Sequence, residues 1–439
     1  MNVSVENLGA CKRLLRIEVP VERVNAVFDE VTGQFQKAAQ LPGFRPGKAP
    51  RHLILRSFES RIVEEARKKL IEESYREAAR QQNLHVVVTL NVEEQQFGRG
   101  LPLQFTVNLE AAPDFELPNY KGLAARRELA VATDGDVDRA LGILREQQAK
   151  YNDVAREAAA GDVVVVHYQG TCEGRPITDL SPAAQGLGAK QNTWLLIAEN
   201  SFVPGFTPQL VGARAGDHRQ IIVTFPADFV VREVAGKEAS YAVEVLGVKE
   251  KLLPEVNEDF SRLFGLASVD DLLRGIRNDL QRELDTRQKR SVRDQLLKAL
   301  LAQREFELPE SVVASETRSL VFNIVNENQQ RGVPREAIEE KKEDIFKSAS
   351  LSARDRVKAA FILNRIAGAE KITVDQQELS QRVVALAQQN NMAPEKMAKS
   401  LQERNAFPEM HQDILTGKVL DFIELHAQLE EVPVLPTTA

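Results

Sequence analysis

Cysteine occurs twice in the 439 residues, at Cys11 and Cys172, and tryptophan once, at Trp194. Two thiols so far apart in sequence cannot form a disulfide framework, so each is read as a small buried side chain. Trp194 is read as a packing residue of a β-rich region. No run of about 18 apolar residues occurs, which excludes a bilayer-spanning helix. The aliphatic run of note, Val163 to Val166, suits a buried strand. The first residues, MNVSVENLGACKRLL, carry acidic and polar side chains where a secretory signal needs a basic and then an apolar segment. The expectation is a cytoplasmic protein with no membrane partner. The six histidines, His52, His85, His167, His218, His411 and His426, never approach HxH or HExxH spacing, and neither GxSxG nor GxGxxG is present. No metal or cofactor site is expected.

Apolar residues make up 43% of the chain and charged residues 28%, the balance of a folded protein. The length predicts roughly two to four domains. The net charge of −7 conceals an asymmetry. From Val31 to Phe58 there is no acidic residue, yet Lys37, Arg45, Lys48, Arg51 and Arg56 are present. Such a patch is either a solvated basic face or a docking surface for a polyanion or an acidic protein.

Composition divides the chain. Residues 1–112 read as an α+β unit. NVSVENL and KRLLRIEVP are expected strands, followed by a helix carrying Val24, Phe28, Val31 and Phe35. A second helix is capped by Ser60 and runs to about Gln82. LHVVVTLNVE and LPLQFTVNLE then flank a turn around Gly98 and Gly100. Residues 113–150 read as a linker, extended through PDFELPNYKGL and helical after a cap at Thr133, a connector rather than a core. Residues 151–250 are β-rich: VVVVHYQG, TWLLIA, RQIIVTF and YAVEVLGV alternate with glycine turns. From 251 to 432 no convincing strand is expected. Ser268 opens a long helix, Thr373 with Gln376 has the form of a capping box, and the narrow apolar stripes suit long arms around open grooves. Residues 433–439 read as a flexible tail. The tetrapeptide FELP occurs at Phe115 and again at Phe306, with different flanks, and is read as coincidence.

The most informative stretch is LPGFRPGKAP, Leu41 to Pro50. It is not a phosphate loop. GxxxxGK[ST] wraps successive N–H groups around a phosphate and places a hydroxyl on Mg²⁺. Here only Phe44, Arg45 and Pro46 separate Gly43 from Gly47, Ala49 follows Lys48, and Pro46 removes one donor. Pro42, Pro46 and Pro50 stiffen the tip while the glycines permit sharp turns. Phe44 either projects beside Arg45, a usual interface composition, or tucks beneath the loop.

Gly43-Phe44-Arg45-x-Gly47-Lys48-x-Pro50 resembles the ribosome-binding signature of the trigger factor family of bacterial chaperones. The order of regions resembles that family along essentially the whole chain. The resemblance implies a multidomain α+β protein: an N-terminal α+β ribosome-binding domain, an FKBP-like β-rich domain, and an all-α C-terminal chaperone domain with long helical arms. It implies that Gly43, Phe44, Arg45, Pro46, Gly47 and Lys48 meet a ribosomal protein and ribosomal RNA at the exit tunnel. Many members carry lysine where this chain has Pro46. The clients implied are nascent and unfolded polypeptides, and molecules off the ribosome are implied to form homodimers.

GDVVVVHYQG, NSFVPGFTPQLVG, GDHRQIIVTFP and SYAVEVLGV resemble the FKBP-type peptidyl-prolyl isomerase domain. By that resemblance Tyr168, Phe202, Val203, Phe206, Phe229 and Tyr241 line the catalytic proline pocket; from spacing alone they could equally be core. The family pattern has an aromatic followed by an acidic residue where this chain has Ile177 and Thr178, with Asp179 one position late. Thr193 stands where a pocket aromatic is expected. The implied function is an ATP-independent chaperone that docks at the ribosomal exit tunnel, shields nascent chains and isomerises X–Pro bonds. The alternatives are a ribosome-independent prolyl isomerase or holdase with helical extensions, and an extracytoplasmic chaperone. Val312, Leu320, Ile324, Phe361 and Ile362 are candidates for either a client cradle or inter-helix core.

Overall fold

The computed structural model describes residues 1–38, 41–42, 44, 47–180, 184–199, 201–229, 231 and 233–433. They fall into two compact units, Met1–Leu129 with Gln288–Ala439, and Ala130–Arg287.

The first unit begins with β1 (Asn2–Asn7), β2 (Lys12–Val19), α1 (Val21–Ala38), α2 (Arg51–Gln81), β3 (Val86–Gln96) and β4 (Leu103–Ala111). The strands form an antiparallel sheet in the order β1-β2-β4-β3. Period-two alternation buries Leu15, Ile17 and Val19 against Leu103, Phe105, Val107 and Leu109, and both helices close that face with Val24, Phe28, Ile54, Ile62 and Leu70. The second helix starts earlier than Ser60 suggests. Arg51 follows Pro50 directly into helix, Ile54 anchors the first turn in the core, and the chain kinks at Phe58 (φ −127°, ψ 19°) instead of ending there.

The stretch after Pro113 is more than a connector. It carries β5 (Ala124–Leu129), and Leu123 and Ala125 are buried in a core that Phe115, Leu117 and Tyr120 also pack against.

The second unit opens with α3 (Asp134–Gln147), where Thr133 and Asp136 form a full capping box. There follow β6 (Lys150–Val154), β7 (Val163–Cys172), β8 (Arg175–Pro176), α4 (Ile177–Leu180), α5 (Gln185–Gly188), β9 (Ala189–Leu196), β10 (His218–Thr224), β11 (Glu238–Leu252), α6 (Glu258–Arg262) and α7 (Val269–Gln303), whose residues from Gln288 onward belong to the first unit. The sheet order is β10-β11-β7-β8, with β6 on β11 and β9 on β7. Here too the connector reading fails, because Val137 of α3 is buried with Phe260, Leu272 and Ile276. Ser268 caps α7 as expected, its Oγ accepting from the Asp271 N–H at 3.1 Å. Trp194 is not a packing residue. It alternates with buried Leu195, so strand geometry turns it outward, 52% exposed, edge-on to Tyr151 at 5.4 Å with Lys249 over its ring at 5.2 Å.

The rest of the first unit comprises α8 (Glu310–Gln330), α9 (Arg335–Glu340), α10 (Lys342–Glu370), α11 (Gln376–Gln389), α12 (Pro394–Glu403), α13 (Phe407–Leu425) and β12 (Gln428–Pro433). Val292, Leu296 and Leu300 of α7 pack with Ile362, Ile366, Val419 and Ile423. The strand β12 was not expected. It lies parallel to β5, from Gln428 opposite Ala124 to Pro433 opposite Leu129; a lone strand has no partner for its backbone groups, and this one finds it far earlier in the chain. Pro433 therefore belongs to a strand, and the remainder of the expected tail lies outside the described residues. The cap of α11 is Asp375, not Thr373: its side chain accepts from the Glu378 N–H at 2.8 Å, and Glu378 returns the contact at 2.9 Å. The two FELP segments are in contact, Phe115 stacked on Phe306, so their reading as coincidence misses a real meeting of the two.

Candidate functional site

Two places concentrate the candidate residues. The first is the loop between α1 and α2. Its flanks are tied down: Leu41 packs against the sheet core, Ala49 is buried, and the Ala49 carbonyl accepts from Gln36 Nε2 at 2.8 Å. The Phe44 N–H donates to the Leu41 carbonyl at 3.1 Å, closing a tight turn, and the Phe44 side chain is 40% exposed. Gly47 sits at φ +80°, where an L side chain is strained. Gly43, Arg45 and Pro46 lie outside the described residues. Lys37, Lys48 and Arg56 are exposed. Arg51 is ion-paired with Asp29, which Arg99 also reaches at 3.1 Å. Among the described residues, the basic character of the loop therefore rests on Lys37, Lys48 and Arg56 more than on Arg51.

The second is the inner face of the β-rich sheet. Tyr168 of β7 and Tyr241 of β11 point to one side, and the segment 201–206 crosses over them. Ring centroids are 5.1 Å apart for Tyr168 and Phe202, 5.0 Å for Phe202 and Phe206, and 5.1 Å for Phe206 and Tyr241. Val203, Phe206 and Tyr241 are fully buried and Tyr168 nearly so, while Phe202 is half-buried and covers the other rings. Phe229 is paired elsewhere, with Phe225 at 4.8 Å. Ile177 fills its position as a fully buried side chain.

A residue that the sequence reading passed over makes this packing possible. Gly170 lies opposite Tyr241 in the β7–β11 register, and a Cβ there would sit 2.4 Å from the tyrosine ring and 2.8 Å from Ile177 Cδ1. A glycine inside a strand signals a close approach, and that was the available clue.

The two tyrosine hydroxyls are treated differently. Tyr168 Oη donates to the Gly186 carbonyl at 2.5 Å. Tyr241 Oη is buried with no hydrogen-bond partner among the described residues, as is Thr193 Oγ1. Burial pushes the ionisation of both phenols upward, so both are neutral O–H groups.

The opposite face of the same sheet carries a concavity of about 930 Å³ lined by His167, Gln169, Lys190, His218, Gln220 and Glu244. It is open and polar, and of the pocket aromatics named above Tyr168 also borders it. Asn192 N–H donates to His167 Nδ1 at 3.0 Å, which leaves that nitrogen an acceptor. Among the described residues no cluster of His, Cys, Asp and Glu is arranged to hold a metal.

In the helical part of the first unit, two apolar-lined grooves are present. One, of about 470 Å³, includes Leu308, Val313 and Phe346; another, of about 510 Å³, includes Val312, Phe361 and Val87. Of the cradle candidates, Leu320 and Ile362 are buried core, Ile324 packs beside Leu320, and Val312 and Phe361 line a groove. Phe322, Phe346 and Leu351 are more than half exposed. Among the described residues no helix is long and apolar enough to cross a membrane.

Family models match in the same order along the chain: "Bacterial trigger factor protein (TF)" over residues 1–144, "FKBP-type peptidyl-prolyl cis-trans isomerase" over 154–246, and "Bacterial trigger factor protein (TF) C-terminus" over 268–424. The trigger factor of Opitutus terrae is 34% identical across 98% of this chain and 99% of its own length. That of Geobacter metallireducens is 30% identical with the same coverage. The trigger factor of Azotobacter vinelandii is 34% identical over 74% of each chain.

Proposed function

The chain belongs to the trigger factor family, and we propose that its LPGFRPGKAP loop is the part that docks at the ribosomal exit tunnel. Members of the family are ribosome-associated chaperones with an FKBP-type isomerase domain, and they bind ribosomes and nascent chains. In this chain Phe44 and Arg45 touch a ribosomal protein and ribosomal RNA, with Gly43, Pro46, Gly47 and Lys48 shaping and charging the tip. The observation that carries this is the exposed Phe44 on a loop whose two ends are pinned. An aromatic held out by a stiff loop loses little entropy on binding. Lys48, Lys37 and Arg56 add a general attraction to the RNA backbone that weakens with salt. The protein works in the cytoplasm, residues 1–112 carry the ribosome contact, and molecules off the ribosome pair as homodimers.

The β-rich domain of residues 151–250 supplies the isomerase, with Tyr168, Phe202, Val203, Phe206, Phe229 and Tyr241 as its pocket. X–Pro rotation has a barrier of roughly 18–20 kcal/mol because twisting breaks amide resonance. No covalent bond forms or breaks, so a dry aromatic surface that accepts the less polar twisted amide is sufficient chemistry. Residues 251–432 hold clients in the apolar grooves, where exposed Phe322, Phe346 and Leu351 give an adaptable surface.

Co-sedimentation with ribosomes tests the docking assignment. The F44A/R45A variant is expected to lose most of its binding, and wild-type binding is expected to fall steeply with salt. Undiminished binding by the double variant would assign the contact to another surface and favour an isomerase or holdase that works apart from ribosomes.

A further inference from the structure

Tyr241 has a buried hydroxyl that has no hydrogen-bond partner among the described residues. Its ring is fully buried, and among the described residues no atom donates to Oη or accepts from it. A buried polar group left without a partner costs about 1–3 kcal/mol, so most are satisfied. Phenylalanine would fill the same space at no such cost. Tyr168 beside it shows the usual solution, its hydroxyl bonded to Gly186. The position of Tyr241 is also built for, because Gly170 opposite it is the only residue type that leaves room for the ring.

We infer that the Tyr241 hydroxyl is the hydrogen-bond donor to the prolyl nitrogen of a bound client as the X–Pro amide twists. The inference rests on the isomerase reading of this pocket. In a planar amide the nitrogen lone pair is delocalised into the carbonyl and accepts hydrogen bonds poorly. At a quarter turn the lone pair is localised on nitrogen and becomes an acceptor. A donor without a partner in the resting protein, which gains one only in the transition state, contributes to turnover rather than to binding. The walls around it are the rings of Tyr168, Phe202 and Phe206, an apolar setting in which one hydrogen bond counts for more than in water. Phe202, half-buried above the other rings, is the part that must move to admit a proline. Pro204 and Gly205, the latter at φ +78°, follow it at the turn. Ile177 and Thr178 provide neither the aromatic nor the acidic side chain of the family pattern, so this chain's pocket depends on a different polar group.

The test uses the full chain, a short X–Pro peptide as substrate and the Y241F variant, with exchange rates followed by NMR at several peptide concentrations. Y241F is expected to lower kcat by about 10- to 100-fold with little change in KM. Its thermal midpoint is expected to be equal to or above that of wild type, since an unsatisfied hydroxyl has been removed. Unchanged kcat, or a loss confined to KM, would overturn the assignment of the hydroxyl while leaving the isomerase reading intact. A clear fall in thermal midpoint would also overturn it, because the hydroxyl would then have a structural partner. Absence of acceleration by the wild-type chain would overturn the isomerase reading of the pocket and this assignment with it.

Discussion

The rings of Phe115 and Phe306 lie parallel, their centroids 4.2 Å apart and their planes within 3°. Each is the first residue of a FELP segment, and the two segments come from opposite halves of the chain. Two cations of α10 complete the stack. The Arg365 guanidinium lies 4.8 Å from the Phe115 ring and the Lys358 ammonium 6.0 Å from that of Phe306. Lys358 is nearly buried and donates to the Leu301 carbonyl at 2.9 Å and to Glu305 at 2.7 Å, which holds its charge in place. The joint fastens both extended segments to one helix.

This stack gives a coupling that can be measured. Replacing Phe115 and Phe306 by leucine, singly and together, keeps most of the apolar area and removes the ring contact. A double-mutant cycle on urea unfolding is expected to return a coupling of roughly 0.5–1.5 kcal/mol. Strict additivity would mean that the rings are neighbours without a specific interaction.

Glu110 is 1% exposed, at the end of β4, and its carboxylate accepts from the Ser311 N–H at 3.1 Å. Pro309 offers no side-chain cap to α8, so a strand residue from elsewhere in the chain takes that role. A negative group at a helix N-terminus is favourable in any case. E110A is expected to destabilise the first unit by roughly 1–3 kcal/mol and to speed hydrogen exchange in the first turn of α8. E110Q retains an acceptor and is expected to cost less. Equal protection of that turn in wild type and E110A would show that the contact is dispensable.

Acid sensitivity of the β-rich domain is expected to run through Asp162. Its carboxylate takes two hydrogen bonds from Arg156, at 2.5 and 3.0 Å, and one from the Ala159 N–H at 2.8 Å. The bonds from Arg156 lower its pKa most; burial opposes them and the Ala159 contact assists. A folded pKa below the unfolded value of about 3.9 means stabilisation that is complete above that value. It is lost as pH falls through the lower folded one. Thermal midpoints measured from about pH 7 down to about pH 3 should therefore show a smaller acid-induced drop for D162N than for wild type, from a lower starting point. Parallel curves would place the acid-labile group elsewhere.

Local patterns in the sequence carried much of the fold. The alternation in KRLLRIEVP and LPLQFTVNLE specifies strands, and Leu272, Ile276 and Leu280 specify a long helix behind Ser268. Thr133 and Ser268 act as caps because capping needs only residues within one turn. The loop's glycines and prolines, and the aromatics at 168, 202, 206 and 241, are equally visible in the sequence, since composition and spacing alone define such signatures.

What the tertiary structure decided lies between segments that the chain separates widely. β12 exists only because β5 offers it hydrogen bonds, and Asp375 rather than Thr373 caps α11 because the packed helix sets where its first turn begins. Trp194 faces outward because pairing with β7 gives Leu195, not Trp194, to the core. Local propensity says nothing about which face a register will bury. The orphaned hydroxyl of Tyr241, the room made for its ring by Gly170, and the stacking of two identical tetrapeptides are relations across distant segments. Only the folded chain brings those atoms within reach of one another.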